Sequence, residues 1–99
     1  MIMTGKQKRH LRTMAHNLKP VVKLGKHGLS PETENEINTQ LLANELIKLK
    51  ILNSCPISKQ ECANILKQKN SLKIVQIIGK TLTLYCPHPK EPKIELPSA

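Results

Sequence analysis

Aromatic residues are nearly absent: Tyr85 stands alone among 99 residues, with no tryptophan and no phenylalanine. Modules that hold successive unpaired bases on a sheet stack them on aromatic rings, and this chain has no such platform. Aspartate is missing altogether, so the seven acids are all glutamates, and only Glu45 and Glu61 lie between the glutamates at 32–36 and the C-terminal tail. Their spacing matches neither a pair of catalytic carboxylates nor a nucleophile, histidine and acid set, and an enzyme is not expected. Three cysteines, Cys55, Cys62 and Cys86, are odd in number and lack CxxC spacing, which argues against a disulfide framework and a zinc ribbon; reduced thiols are expected. Set beside His10, His16, His27 and His88, they give only the pairings Cys86 with His88 and Cys55 with Cys62, neither a familiar zinc spacing, so no metal or other cofactor is expected. No stretch approaches the roughly 20 apolar residues of a membrane span, and MIMTGKQKRH lacks the apolar core of a secretory signal; the expectation is a cytoplasmic protein.

What the chain has in excess is positive charge. Sixteen lysines and arginines face seven glutamates, a formal net charge of +9. Such an excess favours a polyanionic partner, either nucleic acid or an anionic membrane surface. Lys6, Lys8, Arg9, Arg12, Lys19, Lys23 and Lys26 all precede the first acid, Glu32, so the first third of the chain carries cations without local counter-ions. The length suits one small domain, placed at 1–87, with a tail at 88–99 where Pro89, Pro92 and Pro97 follow closely on Pro87. That tail is expected to be extended, although KIEL within it could add an edge strand.

Periodicity divides the domain into seven elements. In KQKRHLRTMAHNL, Leu11, Met14, Ala15 and Leu18 recur at helical spacing, with Lys6, Arg9, Arg12 and His16 on the other side of the wheel; Pro20 ends the helix. Val21 to Leu24 reads as a short strand. Ser30 is a good N-cap, Pro31 suits the first helical position, and Glu32 and Glu34 complement the dipole of a helix running to about Ala43, with Ile37 and Leu41 on its buried side. In ELIKLKIL, Ile47, Leu49 and Ile51 alternate with Lys48 and Lys50, so a strand with one apolar and one cationic face is expected, the two lysines facing away from the helices. Ser58 and Glu61 form a capping box for a third helix with Cys62, Ile65 and Leu66 on its apolar side, Lys67 and Lys69 near its end and Asn70 closing it. Leu72 to Ile78 and Thr81 to Tyr85 then form a hairpin on Gly79 and Lys80. The expected fold class is α/β, an α+β sandwich in the order α-β-α-β-α-β-β. Its mixed four-stranded sheet carries the second and third helices on one face through right-handed crossovers.

Two glycine segments invite a phosphate-binding reading. IVQIIGKT ends like a nucleotide-binding loop, but the glycine required at position 74 is Ile74, and Gly79 is better explained by the hairpin. The other segment, KPVVKLGKHGLSPE, leads from a strand through Gly25, Lys26, His27 and Gly28 into a capped helix. Glycines allow close backbone approach, while amides at a helix start and a lysine supply positive potential, the arrangement in which GxxG loops clamp a nucleic-acid backbone. A turn serving only the fold is the commoner use of such glycines. With recognition left to backbone and shape, structured RNA fits better than a free single strand, and charge alone leaves duplex DNA open.

Taken together, TGKQKRHLRTMAHNLKPVVKLGKHGLS, ELIKLKIL and VQIIGKTLTLYCP resemble the CRM domain (chloroplast RNA splicing and ribosome maturation), specifically its stand-alone bacterial YhbY-like members, over about Thr4 to Pro87. The resemblance implies an RNA-binding fold related to the C-terminal domain of translation initiation factor three. It also implies association with precursors of the large ribosomal subunit; plant relatives, usually with several copies, assist group II intron splicing. By position it implies an RNA-binding set of Gly25, Lys26, His27 and Gly28 in the loop, Lys8, Arg9 and Arg12 on the first helix, and Lys48 and Lys50 on the second strand, beside Lys23 on the first. His27 stands where relatives often have asparagine, and Cys86 follows Tyr85 where they commonly have arginine.

The expected function is therefore a non-catalytic, monomeric RNA-binding protein acting on structured ribosomal RNA of large-subunit precursors, with no membrane and no small-molecule substrate. The alternative is an adaptor docking on ribosomal proteins or assembly factors. DNA binding ranks third, since no helix-turn-helix spacing appears.

Overall fold

The computed structural model describes residues 3–69 and 72–98, without the side chain of Lys69. Helix α1 spans Gly5–Ala15, strand β1 Pro20–Leu24, helix α2 Pro31–Asn44, strand β2 Leu46–Ile51, helix α3 Lys59–Lys69, strand β3 Lys73–Ile78 and strand β4 Thr81–Tyr85. The order and the helix and strand types are those the periodicity predicts. The closing role expected of Asn70 lies outside the described residues.

The four strands form one mixed sheet in the order β1-β2-β4-β3. β1 and β2 run parallel, joined by the α2 crossover, while β4 lies antiparallel to both β2 and β3. Gly79 takes φ +56 at the first position of the two-residue hairpin turn, a conformation that glycine adopts without Cβ strain. One face of the sheet, bearing Val22, Leu24, Ile47, Leu49, Leu82 and Leu84, is covered by Ile37 and Leu41 of α2 and by Cys62, Ala63 and Leu66 of α3. Local chemistry sets these helices in place: Ser30 Oγ accepts the Thr33 N–H, Pro31 fills the first turn, and Ser58 Oγ accepts the Glu61 N–H at 3.1 Å. Ala63 is buried where Ile65 was expected to be, and Ile65 is half-buried, because the buried stripe of α3 runs one residue to the side of the sequence-based reading.

The other face carries Lys48 and Lys50, opposite α2 and α3 as the alternation predicts, but it is not bare. α1 packs across one end of it, where Met3, Leu11, Ala15, Leu46, Val75 and Tyr85 make a second core. Thr4 begins α1 with a reciprocal cap, its Oγ1 accepting the Gln7 N–H and its own N–H donating to Gln7 Oε1. Met14 and Leu18, counted by spacing in the apolar stripe, stay about two-fifths exposed, because only Leu11 and Ala15 are buried against the sheet.

The C-terminal tail completes this second core. Ile94 and Leu96 pack against it, and the Gln7 side-chain amide donates to the Pro97 carbonyl at 3.0 Å. KIEL adds no strand; its proline-flanked backbone runs irregularly over the end of the sheet.

Candidate nucleic-acid interface

The loop at 25–28 is a tight turn with an exposed tip. The Gly28 N–H donates to the Gly25 carbonyl at 3.0 Å, and Leu24 at the end of β1 still accepts the Leu52 N–H at 2.8 Å, so the turn is anchored at its base. Gly28 is buried at φ +56, and a Cβ there would lie 3.5 Å from the Pro56 ring. Gly25 carries no such conformational demand, and a Cβ there would meet Ser54 Oγ at 3.6 Å, an ordinary contact. Lys26 and His27, between them, are exposed.

The helix that follows is a poorer phosphate cradle than its position in the sequence suggests. Pro31 has no N–H, the Thr33 N–H is occupied by Ser30 Oγ, and the Glu34 N–H by the Ser30 carbonyl. Glu32 and Glu34 add negative charge in the same turn. The expected free amides at the start of α2 are thus mostly used internally, and positive potential at this end of the molecule comes from Lys26 and from the adjoining strands.

Those strands carry the larger cationic surface. In the register, Lys23 of β1 lies beside Lys50 of β2, and Lys50 lies beside Thr81 of β4. One pleat further on, Lys48 lies opposite Thr83, and Thr83 opposite Gln76 of β3. Lys23 and Lys50 are exposed on this face and Lys48 is half-buried, and the flank of α1 carrying Arg9, Arg12 and His16 forms a wall beside Lys48. Wall and floor enclose an open groove of about 620 Å³, lined by Arg9, Arg12, His16, Lys48, Gln76 and Ile78 and also touched by Thr13, Ala15 and Asn17. No acidic residue lines it, and no ion pair to Arg9 or Arg12 is found among the described residues. Lys8 is exposed one turn before Arg12 on the same flank.

Among the described residues no cluster of histidine, cysteine and acid side chains could hold a metal, and no helix is long and apolar enough to cross a membrane. All three cysteines are free thiols. Burial pushes the Cys62 thiol up to about 11, with Cys55 nearby adding to the effect, so it is a core residue rather than a nucleophile.

Comparison with known proteins identifies the scaffold: residues 3–85 match the CRS1 / YhbY (CRM) domain. The chain belongs to that family. This CRM protein is 40% identical over 96 residues to the probable RNA-binding protein YqeI of Bacillus subtilis, covering 97% of this chain and 100% of the relative. It is 40% identical over 95 residues to an RNA-binding protein of Haemophilus influenzae, covering 96% and 95% of the two chains. The solution structure of a Staphylococcus aureus protein described as a candidate RNA binder superimposes with a TM-score of 0.78 at 36% identity, covering 97% of this chain and 100% of that one.

Of the residues singled out by sequence, the structure brings Arg9, Arg12 and Lys48 into one groove and Lys23 beside Lys50, with Lys26 and His27 exposed on the turn that follows β1. Sequence reasoning missed Asn17, Gln76 and Ile78 in the CRM groove and Glu45 beneath the tail. Strict alternation from Ile74, which packs on the α2 and α3 side, would turn Gln76 into that core; a register shift between Ile74 and Gln76 turns it onto the α1 side instead. No signal in IVQII marks that shift. Glu45 carried one: an acid isolated between a helix and an apolar strand run.

Proposed function

We propose that this CRM protein is a non-catalytic RNA-binding protein that acts in the cytoplasm on structured ribosomal RNA of large-subunit precursors. The observation that carries the reading is the convergence of Arg9, Arg12 and Lys48, from a helix and a strand distant in sequence, on one groove without an acidic lining residue. Cations held together without counter-ions repel one another, and a polyanion relieves that repulsion. Lys23, Lys50 and the turn with Lys26 and His27 extend the same charge along the sheet. The names of the relatives as RNA-binding proteins select RNA among polyanions. Lys26 and the exposed turn grip the sugar-phosphate backbone, Lys8, Arg9 and Arg12 extend the footprint, and no residue supplies acid-base or nucleophilic chemistry.

Replacing Lys26 or Arg12 by glutamate tests this. Each change is expected to weaken binding to large-subunit precursor RNA about tenfold at low salt and to reduce the slope of log affinity against log salt by roughly 1, with an unchanged circular dichroism spectrum. Wild-type affinity in both variants would remove this face from the binding surface. An adaptor role is favoured by a separate feature, the apolar hollow on the other flank of α1, where Met14, Leu18, Val21 and Ile94 meet. Partner capture that survives ribonuclease and moderate salt, and is lost on Leu18→Glu, would place protein docking ahead of RNA.

A further inference from the structure

We infer that the groove between α1 and the open half of the sheet receives one unpaired nucleotide of the bound RNA, its base held between Arg side chains and Ile78 and read by the carboxamides of Asn17 and Gln76. RNA binding through this face is the premise; the groove adds which part of the RNA enters it.

Phosphate binding accounts for only part of the lining. Arg9, Arg12 and Lys48 are donors suited to phosphate oxygens, but Asn17 and Gln76 each present a donor and an acceptor side by side, the pattern of a base edge. Neither carboxamide has a protein hydrogen-bond partner among the described residues. Ile78 is 63% exposed on the groove floor, an apolar surface that gains nothing from a phosphate and gains contact from the face of a base. Guanidinium planes can stack on that base from the other side, which gives a chain with a single, buried tyrosine a substitute for aromatic stacking.

Geometry points the same way. A volume of about 620 Å³ falls in the roughly 300–1,000 Å³ range of sites for single small organic molecules, and no duplex enters such a space. An extruded nucleotide can, because its two flanking phosphates then lie at the mouth of the groove, within the charged field of Lys48 and Lys50. The register shift that turns Gln76 outward breaks an otherwise regular β3 and β4 ladder, and bulges of this kind commonly re-aim a side chain toward a site. The ligand class is thus a bulged or junction nucleotide next to a helix, with the turn at 25–28 on the neighbouring backbone.

Two RNA hairpins differing by one nucleotide test this: one fully paired, the other carrying a single bulged 2-aminopurine. Wild-type protein is expected to bind the bulged hairpin about tenfold more tightly and to change the 2-aminopurine emission on binding. Asn17→Ala/Gln76→Ala, which alters no charge, is expected to lose both the preference for the bulged hairpin and the emission change. Equal wild-type affinity for the two hairpins, or a preference that survives the double substitution, overturns the pocket and leaves RNA binding standing. Failure of wild-type protein to bind either hairpin overturns both. The wild-type comparison needs no variant, so a folding defect in the double substitution would not shield the proposal.

Discussion

The Glu45 carboxylate accepts the main-chain N–H of Lys93 at 2.7 Å, 48 residues further along the chain. The same side chain accepts the Ile94 N–H at 3.0 Å and the His88 N–H at 2.9 Å, and the Glu45 carbonyl accepts the Cys86 N–H at 2.8 Å. Glu45 itself is 2% exposed and sits at φ +64, a backbone state that costs a residue with a Cβ about 1–3 kcal/mol. Four backbone donors offset that strain. Proline-rich chain has few main-chain N–H groups and cannot pair as a strand, so a buried carboxylate replaces the missing ladder and holds Ile94 and Leu96 over the core beneath α1.

Removing the carboxylate should therefore loosen the tail and with it the helix that walls the groove. Glu45→Ala leaves three partly buried N–H groups without their acceptor and is expected to destabilise the protein by about 1–3 kcal/mol. Urea unfolding followed by circular dichroism measures it. A midpoint equal to that of wild type would mean that Ile94, Leu96 and the Gln7 hydrogen bond to Pro97 hold the tail without the carboxylate.

Acid should have a similar effect by a different route. Burial opposes ionisation of Glu45, but the N–H groups of His88, Lys93 and Ile94, with the charge of His88, outweigh it and hold the carboxyl below its ordinary value of 4.5. A group lowered in the folded state stabilises fully above its unfolded value and loses that contribution as pH falls through the folded one. The wild-type melting temperature should thus drop below about pH 4.5, and the drop should be smaller in Glu45→Gln. Parallel acid curves for the two proteins would assign the acid response to other carboxylates.

The two loop glycines should separate fold from function. Gly28→Ala forces a Cβ onto φ +56 and is expected to cost about 1–2 kcal/mol. Gly25→Ala meets only ordinary contacts and should stay within about 0.5 kcal/mol of wild type. Weaker RNA binding by a fully stable Gly25→Ala would show that the first glycine is kept for the approach of a ligand backbone; unchanged binding would reduce its role to an ordinary turn residue.

Thiol labelling should follow burial. Cys62 is fully buried with its thiol pushed up to about 11, and Cys86, half-buried beside the Glu45 charge, is also raised. At about pH 8, iodoacetamide should modify Cys55 first, Cys86 next and Cys62 only on unfolding, as read by mass spectrometry of timed digests. Early modification of Cys62 would mean that the α3 face opens in the native state.

Local patterns in the chain were enough for the element order, both helix starts at Ser30 and Ser58, the hairpin at Gly79 and the pairing of apolar strand faces with α2 and α3, because caps, turns and period-2 alternation act over a few residues. They also placed the cations correctly along the chain: Arg9 and Arg12 on one flank of α1, Lys48 and Lys50 on one face of β2. Only the tertiary structure decided that α1 crosses the sheet face opposite to α2 and α3, that a register shift turns Gln76 into the groove, and that Glu45 clasps the tail. Each depends on contacts between segments far apart in sequence, where the free energy of packing Leu11, Ala15, Ile94 and Leu96 on Tyr85 and Val75 outweighs any local preference. The charges were written in the sequence; their meeting in one groove was settled by the burial of a few apolar side chains on the far end of the sheet.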